Sequence, residues 1–151
     1  MTPCRSATLA DLSALLALEA AAFQPEDRFA RRNIRHLLCA PSARILLGEV
    51  GGRLAGSAIL LFRKTSRIAR LYSIATDPAQ GGKGIGAALI AACAVEALNR
   101  DCNRIRLEVR AGNIRAQSLY RNCGFRLLKE KKDYYANGET ALVFERDLKA
   151  G

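Results

Sequence analysis

The sequence predicts a mixed α/β protein, one sheet flanked by helices. Three observations carry this reading. Apolar residues at helical spacing alternate with short runs of strand character along all 151 residues. The pair Gly51-Gly52 separates two strand-like runs, a strong hairpin signal. A third such run, 71–76, turns through Asp77-Pro-Ala-Gln-Gly-Gly-Lys-Gly-Ile-Gly86 straight into a helical segment.

The elements follow in order. Leu12, Leu15, Leu16, Leu18 and Phe23 predict a helix over 10–22, with Thr8 or Ser6 available to cap it and Pro25 to stop it. A second, basic helix is expected over 28–39, with Phe29, Ile34, Leu37 and Leu38 inward and Pro41 beyond its end. Residues 45–50 and 54–62 form the hairpin, and 68–76 the next strand. After the glycines, Leu89, Ile90, Cys93, Ala94, Ala97 and Leu98 share one side of a helix over 87–98. In 104–110, Ile105, Leu107 and Val109 alternate with Arg106, Glu108 and Arg110, the period of a strand buried on one face. Asn113 caps a short helix over 114–122 that Gly124 ends. Two last strands, 125–132 and 140–147, flank Tyr134-Tyr-Ala-Asn-Gly138. The expectation is a single domain spanning 1–151, with six or seven strands, mostly antiparallel, and about four helices.

Composition narrows the function classes. Half the residues are hydrophobic and a quarter are charged, the balance of a globular chain. The apolar runs are too short for a bilayer, and Met1-Thr-Pro-Cys-Arg-Ser6 lacks a signal-peptide core, so a cytoplasmic protein with no membrane partner is expected. The five cysteines form no Cys-x-x-Cys pair and read as reduced, mostly buried thiols. With His36 the only histidine, no metal site is expected. The net charge of +10, concentrated in 28–70 and 104–132, suits a polyanionic partner, a phosphorylated cofactor or a ribosomal surface.

The glycine-rich turn carries the chemistry. A helix start leaves backbone N–H groups unpaired and adds the positive end of its dipole, and glycines let a phosphate approach them. Lys83 adds a full charge. A Walker loop would need Ser or Thr after Lys83, and Gly84 stands there. A dinucleotide fingerprint fails on spacing and on the absence of an acidic residue near 105. Coenzyme A, whose pyrophosphate uses the same kind of helix start, is the third reading.

Three segments together resemble the GNAT acetyltransferase superfamily: Ile74-Ala-Thr-Asp-Pro78 with its glycine turn, Leu107-Glu-Val-Arg110, and 113–125. Asp133-Tyr-Tyr135 with Asn137-Gly138 looks closest to the bacterial ribosomal-protein-alanine N-acetyltransferases within it. The resemblance implies acetyl-CoA as donor and an amine as acceptor, here a protein N-terminal α-amine. A small amine, a lysine side chain or a non-catalytic acetyl-CoA- or RNA-contacting module are the alternatives. It further implies that Ile74, Ala75 and Thr76 pair with the pantetheine arm. Gly82, Lys83, Gly84, Ile85, Gly86 and Ala87 would hold the pyrophosphate, with Asn113 near the cofactor. Gly81 stands where the family carries Arg or Gln, so weaker cofactor binding is expected.

Acetyl transfer to an amine needs a proton acceptor and an acid for the departing thiolate. No Ser, Cys or His constellation for a covalent route is legible, so direct attack is expected. By the resemblance, Glu108 accepts the proton and Tyr120 protonates the thiolate. From the residues alone, Glu108 reads equally as a carboxylate at a strand end paired with Arg106 or Arg110, and Tyr120 as a core residue. Tyr134 and Tyr135 are candidates to line the acceptor pocket.

Overall fold

The computed structural model describes residues 4–80 and 84–149. In chain order these form β1 (Cys4–Ser6), α1 (Leu12–Ala22), α2 (Arg31–Cys39), β2 (Ala43–Val50), β3 (Arg53–Leu61) and β4 (Ile68–Thr76). Then come α3 (Ile85–Asn99), β5 (Arg104–Arg110), α4 (Ile114–Asn122), β6 (Arg126–Lys131) and β7 (Ala141–Asp147). The strands make one sheet in the order β1-β2-β3-β4-β5-β7-β6. Every neighbouring pair is antiparallel except β4 and β5, which run parallel because α3 crosses between them.

The mixed sheet flanked by four helices is the predicted architecture. β1 was not expected. It is a three-residue edge strand, too short to show a period, and its pairing with β2 (Cys4↔Gly48 to Ser6↔Leu46) defines it. The first two helices begin later than predicted because tertiary contacts occupy the residues ahead of them. A 3-10 turn at Leu9–Asp11 precedes α1, with the Thr8 N–H donating to Asp11 at 2.8 Å. Pro25–Asp27 forms another such turn ahead of α2. There the Arg28 guanidinium donates to the carbonyls of Phe23 and Ala20 at the end of α1. The Phe29 N–H donates to the buried Glu19 carboxylate at 2.9 Å. These bonds keep the α1–α2 connection out of α-helical conformation as far as Ala30.

Helices cover the two faces unequally. On one face α3 and α4 pack over Leu46, Leu60, Leu71, Ile105, Leu107 and Phe144. Each fully buried aliphatic side chain of this set stabilises the fold by roughly 1.5–3 kcal/mol. On the other face α1 and α2 set Leu12, Leu15 and Ile34 on Ile45, Leu47 and Ile59. That second cluster stops at the β2–β3 half. Beyond it, the same face of β5, β7 and β6 carries polar side chains: Arg106, Glu108, Glu145, Lys129 and Lys131. Among the described residues no helix is long and apolar enough to cross a membrane.

Candidate active site

The site begins where β4 and β5 part. Their parallel register holds for only three pairs, Ile68↔Arg104, Ala69↔Ile105 and Arg70↔Arg106. On its other side β4 stays paired with β3 up to Gly56↔Thr76, but the register slips between Ile59↔Ser73 and Leu60↔Leu71, leaving Tyr72 as the extra residue. Such a bulge bends a strand and increases its twist, which carries the far end of β4 away from β5. The β5-side edge of Ile74, Ala75 and Thr76 therefore lacks a ladder partner, and backbone donors and acceptors there are open to a ligand.

The helix start lies beside this edge. Gly84 caps α3 in the left-handed region (φ +70°), and a Cβ there would meet nothing within 4 Å, so backbone conformation rather than crowding selects glycine. The first helical bond runs from the Ala88 N–H to the Gly84 carbonyl, so helix geometry leaves the N–H groups of Ile85, Gly86 and Ala87 without intrahelical acceptors. A Cβ at Gly56 would come within 2.6 Å of Ile85 Cγ2 and 2.9 Å of the Ala75 carbonyl oxygen. Gly56 thus lets β3 hold the open strand edge and the helix start in close contact. This donor set suits an arm bearing amides that ends in a pyrophosphate. Of the predicted cofactor-binding residues, Gly82 and Lys83 lie outside the described residues, as does Gly81. Asn113 caps α4 as expected, its Oδ1 accepting from the Ala116 N–H at 3.1 Å.

Glu108 sits in the middle of β5, not at its end. Its carboxylate does not pair with Arg106 or Arg110. One oxygen accepts from Arg70 at 2.5 Å and from the Tyr134 hydroxyl at 3.2 Å, and the other accepts from Lys131 Nζ at 2.7 Å. Arg106 instead engages the buried Glu145, its register partner on β7, at 2.6 Å. Burial pushes the Glu108 carboxyl up, but the hydrogen bond from Lys131, the charges of Arg70 and Lys131 and the Tyr134 hydroxyl outweigh it and leave it below the usual range.

Tyr120 occupies the opposite face. It is 6% exposed in the α3–α4 core, its ring 5.8 Å from Phe125 and 6.4 Å from Phe144. Burial first, then Tyr135, pushes its hydroxyl up to about 12, so it keeps its proton at neutral pH. None of the hydrogen bonds among the described residues uses that hydroxyl. The core role and a proton-donating role are thus compatible. Tyr135 lies within electrostatic reach of both candidates: burial pushes it up, Arg110 pulls it down and Glu108 adds to the rise.

Two cavities on the Glu108 face meet at Leu61 and Arg70. The first, about 390 Å³, holds Glu108, Lys131 and Tyr134, and the second, about 530 Å³, is bounded by Phe29, His36 and Tyr72. Arg110, which lines neither cavity, ties the α1–α2 connection to the β6–β7 turn. It reaches Asp27 of the α1–α2 connection at 3.5 Å and Glu139 of the β6–β7 turn at 3.2 Å, and stacks 4.0 Å over the Tyr135 ring. Arg70 and Lys131 were not singled out from the sequence, and Arg110 was considered only as a partner for Glu108, which it is not. Lys131 offers no local signal, because it reaches Glu108 only through a sheet order that inserts β7 between β5 and β6. The cysteines are less buried than expected: Cys93 and Cys102 are buried, Cys39 is exposed, and none lines either cavity. Among the described residues no three His, Cys, Asp or Glu side chains gather as a metal would require.

The comparisons with known proteins agree with this geometry. The model of the acetyltransferase (GNAT) family matches residues 10–125. A Bacillus subtilis protein whose name assigns it provisionally to the ribosomal protein bS18-alanine N-acetyltransferases is 32% identical over 143 residues, covering 92% of this chain and 91% of its own. The N-alpha-acetyltransferase RimI of Mycobacterium tuberculosis is 30% identical, over 93% and 89% of the two chains. A mycothiol acetyltransferase of Kineococcus radiotolerans is 35% identical over 77% of this chain but only 39% of its own. Among solved structures, the ribosomal-protein-S18-alanine N-acetyltransferase of Escherichia coli superposes with a TM-score of 0.85 at 26% identity, covering 100% of this chain and 97% of that one. A parted parallel strand pair with a glycine-capped helix beside it, inside a match of this extent, leaves one assignment: the chain is an N-acetyltransferase and belongs to the GNAT family.

Proposed function

We propose that the protein transfers the acetyl group of acetyl-CoA directly to the α-amine of a protein N-terminus. The observation that carries the reading is that β4 parts from β5 after Arg70↔Arg106, just short of Glu108, while Tyr120 lies in the core on the other face of the sheet. Acetyl-CoA supplies a thioester, an acyl group already activated toward amines. The open edge of Ile74, Ala75 and Thr76 holds its arm, and the N–H groups from Gly84 to Ala87, with Gly82 and Lys83 of the same turn, hold its pyrophosphate. Asn113 borders it from the start of α4. Glu108 takes one proton from the acceptor ammonium and so frees its lone pair, and nitrogen bonds to the thioester carbon. The C–S bond breaks as Tyr120 gives its proton to the departing sulfur, and the second proton shed by nitrogen restores the Tyr120 phenol. Tyr134 and Tyr135 flank the incoming amine.

The names of the Mycobacterium and Escherichia relatives support a protein N-terminus as acceptor. The mycothiol acetyltransferase favours the alternative of a small amine. The reading places the protein in the cytoplasm, with its basic surface available to an anionic partner such as the ribosome. The test incubates the protein with acetyl-CoA and a library of free N-terminal peptides and reads acetylation by mass. Acetylated α-amines are expected. Acetylation of lysine side chains or small amines alone overturns the reading.

A further inference from the structure

The two cavities that meet at Arg70 are charged out of proportion to what an ammonium needs. Six cations line them: Arg32, Arg63, Arg70, Arg106, Lys129 and Lys131. Among the described residues Glu108 is the only acidic side chain lining either. Part of this charge is neutralised, Arg106 by Glu145 and one of the Arg70–Lys131 pair by Glu108. Arg32, Arg63 and Lys129 form no ion pair among the described residues and are exposed. The carboxylates of Asp27 and Glu139 line neither cavity and are engaged by Arg110. An acceptor rich in lysine or arginine would meet uncompensated positive charge on both sides of the base. An acceptor bearing carboxylates would find partners for them.

We propose that the acceptor is an acidic N-terminal segment, whose carboxylates at the second and third residues bind between Arg63, Lys129 and the Arg70–Lys131 pair. The inference rests on the proposed function and deepens it. Binding of this kind has a second effect. With substrate carboxylates on Arg70 and Lys131, Glu108 loses the two cations that now stabilise its ionised form and becomes the stronger base when the ammonium arrives. An acidic acceptor therefore releases the base that it uses, and a neutral one leaves it clamped.

The test uses the full chain and three peptides with a free N-terminal alanine: Ala-Glu-Asp-Phe, Ala-Ser-Ala-Phe and Ala-Arg-Arg-Phe. Each is followed by acetylation rate and, with a fluorophore at its C-terminal end, by anisotropy. The acidic peptide is expected to exceed the basic one by about tenfold or more in both kcat/KM and affinity, equivalent to about 1.4 kcal/mol. Added salt should shrink the difference. In the double variant Arg63→Glu, Lys129→Glu, which leaves Glu108's own hydrogen-bond partners in place, the ratio of acidic to basic peptide should fall to near one. Equal handling of the three peptides, a basic preference, or an acidic preference that survives the double substitution overturns the inference and leaves the proposed function standing. Tighter binding of the acidic peptide without any acetylation overturns the proposed function alone. A single-stranded RNA that binds more tightly than the acidic peptide, and loses that binding in the double variant, assigns the groove to nucleic acid and overturns the inference.

Discussion

Replacing Gly56 by alanine tests whether the close contact among β3, β4 and α3 positions the donor site. The new Cβ would stand 2.6 Å from Ile85 Cγ2, 3.0 Å from Leu89 Cδ1 and 2.9 Å from the Ala75 carbonyl oxygen, where ordinary contact starts at 3.4 Å. The side chains can rotate, but the carbonyl belongs to the backbone of β4 and moves only if the strand moves. Overpacking of this kind costs about 1–3 kcal/mol. For a chain of this length, about 2 kcal/mol lowers Tm by about 4–8 °C. The strain falls on Ala75 and Ile85, so the hold on the donor should suffer as well. A displacement approaching ~1 Å can cost about a hundredfold in rate, and a tenfold or greater fall in kcat/KM for acetyl-CoA is the expected result. Gly86→Ala is the matched comparison. Its Cβ meets only the flexible end of Leu119, at 2.9 Å, and alanine favours the helix by roughly 0.5–1 kcal/mol. That variant should stay within about 1 kcal/mol of the parent. Thermal melts and initial rates against acetyl-CoA read both quantities. A Gly56→Ala protein with parental Tm and donor kinetics would refute the reasoning.

Four further outcomes follow from the site and its surroundings. Glu108→Gln should lower kcat by about a hundredfold or more with the fold intact by circular dichroism, as loss of a general base does, and full turnover would remove Glu108 from the mechanism. Tyr120→Phe keeps the packing against Phe125 and Phe144 and should slow turnover without lowering Tm appreciably, so a parental rate would reduce Tyr120 to a core residue. Lys131→Met removes two of the influences that hold the Glu108 carboxyl low while burial remains, so the acid limb of the kcat/KM profile should move to higher pH. Asp11, held at about 2 by the Arg5 guanidinium and the Thr8 N–H, contributes stability that is complete above the ordinary carboxyl range near 3.8 and is lost as pH falls through about 2. Denaturant titrations of Asp11→Asn should therefore diverge from the parent above about pH 4 and converge with it near pH 2.

Elements with a local cause were legible in the sequence. β4, β5 and α4 have the predicted bounds, because strict alternation marks β5, and Asn113 and Gly124 punctuate α4 at both ends. The start of α1 depends on the Asp11 carboxylate taking the Thr8 N–H, and that of α2 on Glu19 and Arg28 reaching across a connection, which no periodicity records. Glu108 and Tyr120 could be singled out as candidates because each stands inside a recognisable segment. That they project to opposite faces follows from the alternation of β5 combined with the placement of α4, and emerges only when the sheet is assembled. The clamp on Glu108 is less visible still, since Lys131 lies 23 residues away on a strand that is not the next neighbour.

The parting of β4 from β5 also bears on how such an enzyme can change over time. Residues proposed to grip the thioester arm lie on β4 and the starts of α3 and α4, while the cavities proposed for the amine are walled in part by α2, β6 and the turn beyond. Substitutions at well-separated positions combine almost independently. New acceptors can therefore be explored by altering one wall while the opposite wall, and the reaction it supports, stays as it is.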